Sequence, residues 1–277
     1  MHSTYKNTLK LFVCDCISGL IFSCGNNKKA ENSVAQFEES TEKINEVVQN
    51  EFKYPIPTSF QISQLLQDAN AAFILAITNP VENVDKYETQ RAKALNLGIY
   101  GADLSYASTY NRKEETLELL KASKSLIDGL QISNVFTQSM ANKIEENVEN
   151  KDSLISIISH SFYRTYAQLN QNGQDKLALL VVAGSWIEGL YITTQLAISS
   201  NYDDRIMKIV ADQKITANKL AELCEKYKDD ADVNSILPLI RFMNLVYDGV
   251  IEGASISKGQ LLDILDNVEA TRNDIVG

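Results

Sequence analysis

Histidine, cysteine and proline are scarce in this 277-residue chain, with two, four and four copies respectively, and each shortage removes a class of chemistry. His160 is the only histidine beyond the first few residues. A zinc site therefore runs out of ligands, and a di-metal carboxylate bundle, which needs two Glu-x-x-His pairs, cannot be assembled. The sequence has no Gly-rich phosphate loop, no Gly-x-Ser-x-Gly elbow, no His-Glu-x-x-His and no Cys-x-x-Cys-His, so most named enzyme classes fall away. Asp229-Asp230-Ala231-Asp232 lacks the glycine and the terminal glutamate of a calcium loop and is expected to be an acidic turn with a helix cap. Neither a metal nor a cofactor is expected. Positive charge is also short: 26 Lys and Arg against 36 Asp and Glu give a net charge of −10. That excludes nucleic acid as a partner, because phosphates need clustered cations.

Three of the four cysteines, Cys14, Cys16 and Cys24, crowd into the first 24 residues. Lys6 and Lys10 precede an apolar run from Leu11 to Ser23 that meets Cys24, the order of a basic region, an apolar region and a cleavage site. The ending Leu20-Ile21-Phe22-Ser23-Cys24 resembles a bacterial lipobox, with Phe22 bulkier than usual and Asp15 a charge within the apolar run. The reading predicts a signal peptide over 1–23, lipidation at Cys24 and membrane attachment through that lipid. Loss of residues 1–23 removes two lysines and one aspartate, leaving 24 basic against 35 acidic side chains, or −11. Cys224 then has no disulfide partner and is expected as a small core residue among Leu220, Leu223 and Tyr227.

Beyond residue 24 no stretch is expected to reach the ~20 apolar residues of a membrane-spanning helix. Residues 24–57 read as a polar tether followed by a narrow amphipathic helix, Val34, Phe37, Thr41, Ile44 and Val48, stopped by Pro55 and Pro57. A helical domain is expected over 58–277. Thr58 and Gln61 have capping-box spacing ahead of a helix from Ile62 to Ile77. Apolar residues then recur three and four apart, with no sustained period of two. Further helices are expected up to Tyr110, over Leu117–Leu130, Val135–Val148 and Leu154–Leu169 (capped by Asp152, stopped by Gly173), and over Leu177–Ile198, Ile206–Tyr227, Ile236–Val250 and Leu261–Val268. The fold class is all-α, a multi-helix bundle or an array of antiparallel helical hairpins joined by short connections.

An internal echo points to a duplicated unit of roughly 85 residues. An offset of 85 pairs Asp103 with Glu188, Tyr106 with Tyr191, Ser108 with Thr193 and Thr109 with Thr194. The segments Leu97-Gly98-Ile99-Tyr100-Gly101-Ala102-Asp103-Leu104-Ser105-Tyr106 and Ala183-Gly184-Ser185-Trp186-Ile187-Glu188-Gly189-Leu190-Tyr191 resemble a group of uncharacterised all-helical envelope lipoproteins of Bacteroidota. The resemblance covers most of the chain after Phe52. It implies a Gram-negative envelope location and no known activity. Because Gly25-Asn26-Asn27-Lys28-Lys29 lacks the acidic cluster that such bacteria place after the lipidated cysteine of surface-exposed lipoproteins, it also implies the periplasmic face.

Glycine inside a helix costs ~1 kcal/mol relative to alanine, so Gly98, Gly101, Gly184 and Gly189 predict a close approach of two helices or of a ligand. On one face Asp103 accompanies Tyr106 and Tyr110; on the other Glu188 accompanies Tyr191 and Gln195. A carboxylate on such a face must be hydrogen-bonded, paired or protonated, with Arg241 or Arg164 as candidate partners. Tyr100, Asp103, Tyr106, Trp186, Glu188 and Tyr191 are the ligand-binding candidates, and Asp103 with Glu188 the only catalytic ones. His160 is expected to be partly buried and structural. The leading expectation is a non-enzymatic envelope lipoprotein, binding a periplasmic or envelope protein or a small ligand. The alternative is a hydrolase or lyase working through the Asp103–Glu188 pair, which requires carboxyls within ~5–10 Å of each other and open to solvent.

Overall fold

The computed structural model describes residues 59–132, 138–147, 150–251 and 253–277; Cys24, Thr58 and the segments expected to form a signal peptide, a tether and a narrow amphipathic helix lie outside them. Among the described residues helix accounts for 79% and there is no strand, so the chain is all-α. The helices are α1 Ser59–Asp68, α2 Gln90–Thr109, α3 Lys113–Gly129, α4 Gln138–Asn147, α5 Lys151–Gln171 and α6 Asp175–Ser199, followed by α7 Asp204–Asp212, α8 Lys214–Glu225, α9 Ala231–Asn234, α10 Leu237–Asp248 and α11 Lys258–Val276.

Two helices make the centre. In α2 every residue from Ala94 to Thr109 is buried, and α6 is buried along nearly its whole length; a helix that is buried all round cannot be amphipathic. By length and composition α6 would also suit a membrane span, contrary to the expectation from sequence, but most of it is buried inside the domain. Consecutive helices such as α2 and α3, or α5 and α6, are joined by three residues and double back on each other. The central pair does not. A Cβ on Gly184 would lie 2.0 Å from the Leu95 carbonyl oxygen, and one on Gly98 would lie 2.1 Å from that of Val181 and 2.6 Å from the Ser185 nitrogen. Further along, Asp103 meets Glu188. Partner numbers rise together, so α2 and α6 run parallel, backbone against backbone.

At Asp103 and Glu188 the register of that crossing coincides with the 85-residue offset of the sequence echo. Ser108 and Thr193 hydroxyls donate to the carbonyls of Leu104 and Gly189, and Thr109 and Thr194 to those of Ser105 and Leu190. These back-bonds satisfy hydroxyls that would otherwise be stranded between apolar helices. Both helices end alike, Arg112 N–H donating to Ala107 and Tyr202 N–H to Ala197, with Asn111 and Asn201 in the left-handed conformation. This is a Schellman closure with asparagine in the glycine role.

Several boundaries differ from expectation for local reasons. The first helix stops at Asp68 rather than running to Ile77, because Asn70 adopts a φ of 60° and Ala71 N–H closes on Leu66. The stretch after it forms only short 3₁₀ turns, Leu75–Ile77 and Val81–Lys86. Helix α5 is capped by Asn150, whose side chain accepts from Ser153 N–H, two residues ahead of the expected Asp152. The segment 206–227 breaks at Gln213, which ends α7 and begins α8. Helix α11 opens on a Ser257–Gln260 capping box and continues to Val276, two turns beyond the expected end.

Candidate functional site

The acids of the two central helices face each other across the crossing, their carboxyls within hydrogen-bonding reach. Both are 0% exposed. Their partners come from two elements packed against the pair, α11 and the strap 71–87 with its short 3₁₀ turns.

Glu188 is held by Arg272 of α11. Arg272 Nε donates to Glu188 Oε2 at 2.6 Å and Nη2 to Oε1 at 2.9 Å, a bidentate pair that occupies both carboxylate oxygens. Nη2 also donates to the Ile77 carbonyl at 3.3 Å, and the guanidinium lies 4.5 Å from the centre of the Tyr191 ring, a cation–π contact. Asp103 has no cation of its own. Its Oδ2 accepts from the backbone N–H of Asn79 at 3.0 Å, and its Oδ1 is buried without a hydrogen-bond partner.

Two carboxyls and one guanidinium in a sealed space cannot both be ionised without leaving a net buried charge, which is too costly to keep. Burial pushes Asp103 well above the usual carboxylate range, the neighbouring charge of Glu188 pushes it further, and the Asn79 N–H and Arg272 only partly oppose them. Burial raises Glu188 as well, while Arg272 and a hydrogen bond from Asp103 lower it. The arrangement without net buried charge keeps Asp103 protonated and Glu188 ionised beside Arg272. The trio is an acid, a carboxylate and a guanidinium with no net charge.

Two tyrosines of the candidate set, Tyr100 and Tyr106, hold the strap in place. Tyr106 hydroxyl donates to the Ala72 carbonyl at 3.0 Å and accepts from Ile74 N–H at 2.9 Å; Tyr100 hydroxyl donates to the Pro80 carbonyl at 2.9 Å. Asn79 donates its side-chain amide to Tyr87 hydroxyl at 2.9 Å within the strap and to Asn96 Oδ1 at 3.5 Å, and Asn96 donates to the Ile275 carbonyl at 3.0 Å, tying the strap and α11 to α2. Tyr191 lies under Arg272. Trp186 is buried with its indole N–H unpartnered.

Of the other residues singled out from sequence, Arg241 pairs with Glu225 at the surface and not with either buried acid. Cys224 is buried in the core, where burial pushes its thiol up to about 12. His160 is partly buried, and burial, then Arg164 and Lys143, lower its pKa. Gly101 accommodates the Phe162 ring, whose Cζ would lie 1.6 Å from an added Cβ, whereas Gly189 has only ordinary contact at 3.6 Å with Ile62. A small apolar cleft lined by Leu97, Leu104, Leu120, Ser123, Phe162 and Thr165 leaves about 20 Å³, room for one water. None of the six ligand-binding candidates lines it.

Sequence reasoning missed Arg272 and the strap. A signal for Arg272 existed: Leu261, Ile264, Leu265, Val268, Thr271, Arg272, Ile275 and Val276 continue one buried stripe to the end of α11, with a cation where an apolar residue is due. No periodic signal marks the strap, because its backbone is held by tyrosine hydroxyls and a carboxylate rather than by its own repeat.

No family model, no curated protein and no solved structure matches the chain.

Proposed function

We propose that this chain is a cell-envelope lipoprotein, attached through Cys24 and facing the periplasm, whose helical domain binds an envelope protein or small ligand without catalysing a reaction. The observation that carries the non-catalytic reading is the sealing of the only catalytic candidates. Asp103 and Glu188 are 0% exposed, and both Glu188 oxygens are committed to Arg272. A general acid or base must reach a substrate proton at about 2.6–3.2 Å, and neither carboxyl offers that path. The Tyr100 and Tyr106 hydroxyls are spent on the strap. The anchor rests on the order of Lys6, Lys10, the apolar run and Cys24.

Carbodiimide labelling with an amine nucleophile, mapped by mass spectrometry, tests the sealing. Exposed carboxylates such as Glu225 should react while Asp103 and Glu188 stay unmodified in the folded protein; modification of either would turn the reading toward catalysis. Cys24→Ala should abolish metabolic labelling with a fatty acid, and unchanged labelling would remove the anchor. The hydrolase or lyase alternative keeps one observation in its favour, the convergence of the two acids, and would need the strap to open for substrate.

A further inference from the structure

Helix α10 turns a stripe of apolar side chains to solvent. Leu237, Ile240, Met243 and Tyr247 face the core, while on the opposite side Phe242 is 44% and Leu245 68% exposed. Pro238 is exposed one turn earlier, and Ile251, just past the helix, is 76% exposed. A single exposed leucine needs no explanation. Here Pro238, Phe242 and Leu245 lie within about 60° of one another at about 100° per residue, so they form a line.

Two opposite charges border that line on one edge. Arg241 and Asp248 are seven residues apart, nearly two turns, and so share a flank about 10.5 Å apart along the axis. Arg241 holds Glu225 of α8. Asp248 is exposed and makes no ion pair among the described residues. The other edge carries Leu239 and Val246, both half-buried.

We propose that a second copy of this chain covers the stripe, with the two α10 helices paired antiparallel about a two-fold axis. An axis that lies between the helices and crosses them at right angles keeps each flank facing the same flank of its partner and reverses the order along it. Placed between Asn244 and Leu245, it sets Arg241 beside the partner's Asp248 and Asp248 beside the partner's Arg241. Leu245 then packs near its own counterpart, and Ile251 reaches toward the partner's Pro238. A parallel pairing would turn the charged flank of one helix onto the Leu239–Val246 flank of the other and form neither ion pair. The self-complementary spacing of opposite charges is what singles out a copy of this chain as the occupant. The proposal does not depend on lipidation at Cys24.

The test is the mass of the full chain in solution, read by sedimentation equilibrium. The wild type should form a dimer. Arg241→Asp and Asp248→Arg should each place two like-charged pairs in the homodimer and weaken it roughly 100-fold. An equimolar mixture of the two variants should regain dimerisation, since one copy then carries two acids opposite two arginines. Leu245→Asp should be monomeric and folded. A monomeric wild type, self-association of either charge variant at wild-type strength, or failure of the mixture to associate would overturn the proposal.

Discussion

Arg272 with Glu188 and Arg241 with Glu225 are the same pair of side chains in two different places. The first joins α11 to the central helix α6, with side chains 8% and 0% exposed; the second links α10 to α8, with 53% and 41% exposed. Both have an arginine fork on a carboxylate. In the single chain, water and salt screen the charges around Arg241, so the pair contributes at most about 1 kcal/mol. Around Arg272 there is no such solvent, and each partner becomes a liability if the other is lost. The sealed pair also imposes a condition on a third group: Asp103, left without a cation, must hold a proton. Burial thus converts a weak surface contact into a constraint on three helices and a strap.

Glu188→Gln is expected to have the largest effect, costing about 3–5 kcal/mol in urea unfolding, because it strands the Arg272 guanidinium. A cost no greater than that of a surface change would mean water reaches the site. Gly184→Leu should follow. Its side chain would meet the Leu95 carbonyl and force apart the helices that seal the pair, costing about 3 kcal/mol, or roughly 10 °C in Tm for a domain of this size. Gly189→Ala in the same helix, where an added Cβ has only ordinary contact, should leave Tm unchanged or raise it; a large loss there would show that helix flexibility rather than backbone contact explains the glycines.

The proton on Asp103 gives a prediction with a definite sign. Its folded pKa is raised above the ordinary 3.8, so between those values the folded state holds more protons than the unfolded state. Its contribution to stability is complete below about pH 4 and falls as pH rises toward the folded pKa, by at most about 1.4 kcal/mol per pH unit. Asp103→Asn mimics the protonated form. Unfolding measured from pH 4 upward should lose this downward slope in the variant, which should be the more stable protein above the folded pKa of Asp103; parallel curves would place the proton elsewhere. Glu225→Gln should have the smallest effect, below about 1 kcal/mol, and a larger loss would undo the contrast between the two pairs.

Much of this was legible along the chain. The spacing of Leu120, Ile127 and Leu130, or of Ile206 and Ile209, in steps of three or seven residues marks faces that are buried in the structure. The glycines of α2 and α6 pointed to close approach, and Gly98 and Gly184 make it. Other features were illegible for physical reasons. Short connections imply antiparallel neighbours, but α2 and α6 are separated by three helices and pack parallel, a choice that no local pattern encodes. Asn70 closes the end of α1 through a left-handed backbone that asparagine permits without requiring, and the break at Gln213 falls on a residue whose own backbone stays helical. Arg272 was overlooked because a cation on an apolar stripe reads as the end of the stripe until its carboxylate is seen.

By itself the sequence determined that this chain forms helices, which of their faces are apolar, and that two acids sit 85 residues apart in matching surroundings. Those properties depend on periodicity and side-chain type, which are local. Only the tertiary structure decided that the two acids meet, that the one arginine beside them holds Glu188 and leaves Asp103 without a cation, and that the strap and α11 close over them. Pairing and protonation of a buried charge depend on which distant groups share its volume, and that is fixed by packing rather than by order along the chain.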